Sequence, residues 1–532
     1  MHTQAICFGC VCLVLILIIL ARVKNYLWTR TLELPYPPGP KPLPVIGNLK
    51  DLPRKDEVAV YSKWAAQYGD LVHISVFGKH IVFVNSFQVA NELFEKRSSN
   101  YSDRNKLHMI NDLMGWDWSF GHMPYGERWR RHRKLFHRQF QPSVVNSFFP
   151  IHIRETHALL KRLLDTPDDM INHLRHNAAS TIMKVTYGID VAPRDDYYIN
   201  IAERALDGMA KAASPGAFLV DLVPILKYIP QWVPGAGFQR LAWEWKKVTH
   251  EMRDAPFQAA RSAMSNGVAS PSFVSNLLAE VEPDPGFNQQ IETIRNCAGL
   301  AYAAGAESTV SALSAFVLAM VIYPQVQRKA QEELDRVVGT SRLPGFEDRD
   351  SLPYIDAIVK EVLRWNPVAP LGLPHMATQD DEYNGFFIPA GTTVIGNTWT
   401  MLHDPRIFDR PEVFDPERYL SNLSLGSEKL PPSGNRLESL ADPVNAAFGY
   451  GRRICPGRFM ADAQLWICIA SILAVFDVRP GMDEDGKPVR VQARFDTGMI
   501  SHPLPFRHSI TPRSNHSRGL ITESILCHGL SV

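Results

Sequence analysis

The sequence carries almost no excess charge. Its 56 Lys and Arg residues offset 55 Asp and Glu to a formal net charge of +1, which gives no whole-chain attraction to nucleic acid. Paired cysteines are also missing. The seven are Cys7, Cys10, Cys12, Cys297, Cys455, Cys468 and Cys527. Three lie in an apolar N-terminal segment and the others are scattered, so neither a secreted disulfide framework nor a zinc-type Cys/His spacing is present. No Ser/Gly linker, charge block or repeat divides the 532 residues. One unusually large domain is therefore expected, although length alone suggests about three or four ordinary ones. A dinucleotide fingerprint is absent too, because Ile454 stands where the third glycine would follow Gly449 and Gly451.

What is present begins with residues 5–21, an almost wholly apolar run near the lower end of the ~17–25 residues that span a bilayer. Arg22, Lys24 and Arg30 follow it, and no Lys or Arg precedes it. That asymmetry predicts a membrane anchor over residues 1–24 with the body on the cytosolic side, in preference to a cleaved signal, whose n-region would be positive. Residues 25–44 form a proline-rich linker, stiff and extended. Further along, residues 215–238 are apolar but broken by Pro224, Pro230 and Pro234. They read as a lid, a second membrane contact or buried core.

The most informative stretch is Phe448-Gly449-Tyr450-Gly451-Arg452-Arg453-Ile454-Cys455-Pro456-Gly457. It sets one cysteine in a glycine-rich turn, beside two arginines, with Pro456 suited to a first helical position. Cations and a helix N-terminus favour a thiolate. Cys455 thus reads as an anionic sulfur awaiting a metal, a haem or an electrophilic substrate; the bland reading is an inert small hydrophobe.

Three other stretches carry chemistry. A basic helix opens at Glu127, in which Trp129 and Arg133 share a face and offer N–H donors to a carboxylate. A solvated face and an acidic docking partner are the alternatives. A long apolar helix over residues 291–323 is interrupted by Ala304-Gly305-Ala306-Glu307-Ser308-Thr309. Glycine there costs about 1 kcal/mol relative to alanine, and Ser308 or Thr309 can loosen the helix by bonding back to a carbonyl. This reads either as a groove with a proton path or as a packing notch. A helix from Pro353 places Glu361 and Arg364 at i,i+3, which at a surface is worth at most ~1 kcal/mol. Strands are expected within residues 71–84, turning at Phe77-Gly78-Lys79, and within residues 371–399, turning at Asn384-Gly385 and Pro389-Ala390-Gly391.

In this order, the Glu307 helix, the Glu361/Arg364 pair, Pro416-Glu417-Arg418-Tyr419 and the Cys455 loop resemble the cytochrome P450 family of haem-thiolate monooxygenases. The pattern Phe-x-x-Gly-x-Arg-x-Cys-x-Gly falls on Phe448, Gly451, Arg453, Cys455 and Gly457. The resemblance runs from about residue 37 to 513 and looks closest to microsomal, fungal secondary-metabolism members. It implies a mainly α fold with small β-sheets, a single domain over residues 45–513, and a tail, residues 514–532, with no counterpart and expected to be disordered. It implies haem b with Cys455 as axial thiolate and Phe448 shielding the sulfur. Trp129, Arg133, Arg453 and His375 would hold the propionates, and Glu361, Arg364 and Arg418 would form a structural ion-pair network. Glu307, with Ser308 or Thr309, would relay protons; the acid is followed here by Ser where the family usually has Thr, which leaves open which hydroxyl serves. The partners implied are NADPH–cytochrome P450 reductase, with cytochrome b5 as a second donor, docking on residues 130–138 with Arg452 and Arg458. A hydrophobic substrate would enter a pocket built from residues 107–120, 218–232, 301–305, 368–373 and 497–500. The endoplasmic reticulum membrane is the implied location. An isomerase or dehydratase that needs no O2, and a detoxifying enzyme of broad specificity, are the alternatives.

Overall fold

The computed structural model describes residues 34–53, 55–213, 216–281, 286–420, 442–496 and 498–528. The expected anchor and its basic flank lie outside them.

The principal helices are α1 Glu57–Tyr68, α2 Glu127–Phe140, α3 Phe149–Asp165, α4 Met170–Tyr187, α5 Tyr197–Ala213, α6 Gly237–Ser265, α7 Phe287–Ile322, α8 Pro324–Val337, α9 Pro353–Trp365, α10 Arg458–Val475 and α11 Asn515–His528. The strands are β1 Leu71–Val76, β2 Lys79–Val84, β3 His375–Met376, β4 Asp381–Tyr383, β5 Phe386–Ile388, β6 Thr393–Gly396, β7 Phe476–Pro480 and β8 His508–Pro512. They form one sheet of order β1-β2-β6-β3 and two hairpin-like pairs, β4-β5 and β7-β8. The β1–β2 hairpin turns where expected: Phe77 and Gly78 both take positive φ, 48° and 72°, the backbone twist that a two-residue hairpin favours. Asn384 and Gly385 do the same between β4 and β5, at 51° and 76°.

Helix α7 is the axis of the molecule. It packs along α4, α6, α10 and α2, and Ala315, Phe316 and Met320 in its second half are completely buried. Both α7 and α10 are long and apolar enough to cross a membrane, but most of each is buried inside the fold. Side chains complete the backbone hydrogen bonding at the joints. Gln327 of α8 exchanges both its amide groups with Val478 of β7, at 2.8 and 3.1 Å. The Glu333 carboxylate accepts the N–H of Tyr354 at 3.0 Å and of Ile355 at 3.3 Å, filling donors that the start of α9 leaves open.

Two expectations are corrected here. Residues 514–528 of the tail are not disordered: they fold into α11, which packs on α3 and α10. Ile521 is fully buried, His516 bonds to the Thr340 carbonyl at 2.7 Å, and Arg513 just before it pairs with Asp335 at 2.6 Å. An apolar stripe too short to see in the sequence suffices once α3 and α10 offer a surface. The segment around residues 218–232 is not buried core either. It forms short turns, Leu219–Asp221 and Pro224–Tyr228, in which Val220 is buried while Ile225, Tyr228 and Trp232 stand exposed.

Candidate functional site

A cavity of about 370 Å3 lies between the Cys455 loop and α7. One wall is the loop itself, contributing Phe448, Gly449, Arg453, Cys455 and Gly457. Its path depends on two glycines. Gly449 has φ 82°, and Gly451 has φ 55° with its Cα so close to the Phe94 carbonyl that a Cβ would sit 2.0 Å from that oxygen. The Gly451 N–H donates to Glu95 at 2.7 Å, and the Cys455 N–H to the Phe448 carbonyl at 2.7 Å. Helix α10 begins only at Arg458, with Gly457 as its N-cap, so Pro456 precedes the helix and does not occupy its first position as expected.

Burial pushes the Cys455 thiol up, and it outweighs the Gly457 N–H, Arg133 and Arg458, which pull it down. The surrounding cations therefore do not by themselves make a thiolate. A coordinating metal would, since it deprotonates a thiol outright.

Three guanidinium groups gather at one side of the cavity. Arg133 of α2 donates to the Ile454 carbonyl at 2.6 Å. Arg453 lies 4.6 Å from the ring centre of Trp129 and donates to the carbonyls of Ser102, Met123 and Phe120 at 2.7, 2.8 and 3.3 Å. Arg104 bonds to the Pro374 carbonyl at 2.7 Å and to that of Leu373. Burial lowers Arg104 to about 9 and Arg133 and Arg453 to about 10, so all three remain cationic near neutrality. His375 on β3 donates its Nδ1–H to the Tyr101 carbonyl, 2.6 Å away, and burial beside Arg104 and Arg453 drives it well down, to the neutral form. The segment 103–125 that carries Arg104 is tied at its ends: the Tyr125 N–H donates to the Asp103 carboxylate at 2.7 Å. Trp129, Arg133, His375, Phe448, Arg453 and Cys455 thus all line one cavity. Arg104 and His122 line it too and were not foreseen; nothing in their local sequence marks them, because long-range contacts bring them there.

The opposite wall is α7, through Ala301, Ala304, Gly305, Ser308 and Thr309. The helix is continuous here. Gly305 serves packing as well as the cavity, since a Cβ there would meet Ile182 of α4 at 3.0 Å. The Ser308 hydroxyl donates to the Ala304 carbonyl at 2.7 Å. The Thr309 hydroxyl has no hydrogen-bond partner among the described residues. Glu307 does not line the cavity: it turns away, toward His502 at 3.2 Å and Arg175 at 3.8 Å. Those partners outweigh burial and hold its carboxyl below the usual carboxylate range.

The remaining walls are mostly apolar, with the polar Ser119, Thr181 and Gln464 among them. They come from Trp116 and Phe120, from Val368, Ala369 and Leu373, and from Met499 and Ile500, as expected. The segment 218–232 contributes none of the described lining; Ile182 of α4 with Leu206 and Met209 of α5 take that place. Thr497 lies outside the described residues. No Asp or Glu is among the described residues of the lining.

Away from the cavity, Glu361 and Arg364 are not a surface pair. Both are completely buried and bidentate, at 2.7 and 2.8 Å. Glu361 also accepts the Asp415 N–H at 2.8 Å and Arg418 Nε at 3.2 Å. The basic face of α2 is partly engaged within the chain, Arg138 with Glu280 at 2.6 Å and Arg128 with Glu292 at 3.4 Å. Arg130, Lys134, His137 and Arg452 line an open hollow with Tyr125 and Trp129.

Sequence comparison places these features in a wider set. The model of the family described as cytochrome P450 matches residues 37–510. A cytochrome P450 monooxygenase of Armillaria gallica is 43% identical over 93% of this chain and 96% of its own. Cytochrome P450 monooxygenase 98 of Postia placenta is 43% identical, with 92% of each chain covered. The tryptamine 4-monooxygenase of Psilocybe cyanescens is 40% identical over 90% of this chain and 93% of its own.

Proposed function

The chain belongs to the cytochrome P450 family of monooxygenases, and from that premise we propose that it is a membrane-anchored fungal enzyme that oxidises a neutral, hydrophobic secondary metabolite. Electrons would come from NADPH through a flavoprotein reductase. The observation that carries this reading is one cavity with Cys455 and a cationic side on one wall and small residues with two hydroxyls on the other.

The donor set fits haem b. One sulfur is available as an axial ligand, and Arg133, Arg104, Arg453, Trp129 and His375 surround a cavity whose described lining holds no carboxylate to repel propionates. Arg453 keeps part of its five donors free after its three carbonyl bonds, so it can both brace the walls and meet an anion. When bound, haem supplies oxygen activation, and its thiolate ligand favours O–O cleavage. The chain's own residues do the rest. The Gly457 N–H and Arg133 stabilise the sulfur as an anion, a second layer that tunes the ligand. Phe448 covers the loop. The apolar walls keep bulk water out. Thr309 is the hydroxyl best placed to hand on a proton, because Ser308 already donates to Ala304; Glu307 feeds it from the outer side of α7.

An acidic reductase would dock on the hollow of Arg130, Lys134, His137 and Arg452, which lies on the cysteine side and shares Trp129 and Arg133 with the cavity. Residues 1–24 would anchor the chain in the endoplasmic reticulum membrane, and exposed Ile225, Tyr228 and Trp232 supply a second apolar contact. A relative is named for tryptamine, an amine that is cationic near neutrality. Without a carboxylate in the described lining, this cavity offers such a cation no partner, which supports a neutral substrate.

The test is the carbon-monoxide difference spectrum of the reduced, haem-loaded protein. A Soret band at the thiolate position is expected, and it should be lost in Cys455→His. A wild-type band at the imidazole position would overturn the reading.

A further inference from the structure

Glu307 sits on the cavity helix but faces outward, so the protons it passes inward must reach it from elsewhere. Its two neighbours differ in kind. Arg175 of α4 is 3.8 Å away and is shared with Glu203 of α5 at 3.2 Å. A guanidinium does not release its proton in proteins, so Arg175 is a fixed counter-charge. His502 is closer, with Nε2 3.2 Å from Oε1 of Glu307, and it is a quarter exposed. Imidazole exchanges protons near neutral pH.

The segment that carries His502 is braced from several sides. The Ser501 N–H donates to the Val368 carbonyl at 2.9 Å, and its hydroxyl to Asn366 at 3.0 Å. Ser311 of α7 donates to the Ser501 carbonyl. The His502 N–H donates to the Asp496 carboxylate at 2.7 Å, and Asp496 returns its N–H to the His502 carbonyl at 2.9 Å. Three of these bonds use the backbone and side chain of Ser501, next to His502, and two use the backbone of His502 itself, so the imidazole is held against α7 by contacts that do not use its ring.

We propose that His502 is the proton-entry residue of this enzyme, carrying protons from solvent to Glu307. The inference rests on the proposed monooxygenase reading, in which Glu307 serves the cavity hydroxyls. In the step, imidazolium gives its Nε2 proton to Oε1 of Glu307, leaving a neutral imidazole and a carboxylic acid. Glu307 passes a proton on toward Thr309 or Ser308, and His502 is reprotonated by water. One proton moves in each transfer and no electron. His502 acts through Glu307 and is therefore a positioning residue. The other charged groups around the pair are Arg175, Glu203 and Asp496.

Two measurements on the full-length, haem-loaded chain test this. The first is peroxide released per NADPH with reductase and 7-ethoxycoumarin as probe, across about pH 5 to 8, where imidazole changes charge. In the wild type the peroxide fraction should rise with pH across this range. His502→Gln should give a high and flat profile, raised about threefold at the acid end, and His502→Arg, which keeps the charge but cannot release a proton, should match it. A wild-type slope retained in His502→Gln, or rescue by His502→Arg, would overturn the proposal. The second is the same profile in Glu307→Gln, which should be as high and as flat as that of His502→Gln; a pH slope retained there would also overturn the proposal. A wild-type chain without the thiolate Soret band would instead refute the underlying monooxygenase reading.

Discussion

Two carboxylates meet arginines in this molecule under opposite conditions. Glu361 is completely buried, bonded to Arg364 through both oxygens and to Arg418 at 3.2 Å, and its Oε1 also accepts the Asp415 N–H at 2.8 Å. Glu307 is about a fifth exposed, and its partners stand at 3.2 and 3.8 Å. The same pairing chemistry therefore yields a rigid joint in one place and an exchangeable contact in the other. Burial and distance decide which. A desolvated pair cannot let go of either charge without leaving the other stranded, whereas a partly wet pair can trade partners with water at little cost.

The largest effect should come from breaking the rigid set. Glu361→Gln leaves Arg364 charged and buried, and should destabilise the fold by about 3–5 kcal/mol; denaturant midpoint and haem content after expression measure it, and near-normal values of both would remove the distinction between the two sets. Arg418→Ala keeps the Glu361–Arg364 bidentate pair but removes a bond to a charged group and the contact to the Asp409 carbonyl at 3.1 Å. It should cost about 1.5–3 kcal/mol, clearly less than the first variant.

In the exchangeable set, Glu307→Gln should shift stability by less than about 1 kcal/mol while raising peroxide release strongly. The pH dependence has a definite sign. The folded-state carboxyl of Glu307 titrates below its ordinary value, so its stabilising contribution is present above the unfolded value of about 4.3 and is lost as pH falls through the folded one. Melting temperature followed downward from pH 5 should therefore drop slightly more steeply in the wild type than in the Gln variant. The smallest structural effect belongs to the hydroxyls: Ser308→Ala removes only a bond back to Ala304 and should stay within about 0.5 kcal/mol. Peroxide release separates the two, with Thr309→Ala raising it more than Ser308→Ala; the reverse order would move the proton-passing role to Ser308.

How much of this was legible in the chain depends on the range of the interaction. The Cys455 turn, the Trp129/Arg133 face and the Glu361/Arg364 spacing are local patterns; the fold lines one cavity with the first two and buries the third pair, which spacing alone would leave at the surface. Positions of β1, β2 and their turn were equally local. What local pattern could not carry was burial. Cys455 has its cations, yet desolvation wins. Arg104, His122, Met209 and His502 have ordinary neighbours in sequence and reach the site through contacts with residues far along the chain. Helix α11 was invisible for the same reason, since its apolar stripe has meaning only against α3 and α10.

The segment 103–125 has a consequence of a different order. Asp103 holds Tyr125, and Arg453 clasps the carbonyls of Ser102, Phe120 and Met123, so both ends of this stretch are fastened to the sulfur-bearing loop while Trp116 and Phe120 between them face the cavity. A wall hung from fixed points is interchangeable. Mutation can rewrite its middle, and with it the set of molecules admitted, while the fastenings keep the cysteine in place. Loops positioned by a rigid scaffold are where binding residues concentrate, and here the fastening guanidinium belongs to the cysteine loop itself.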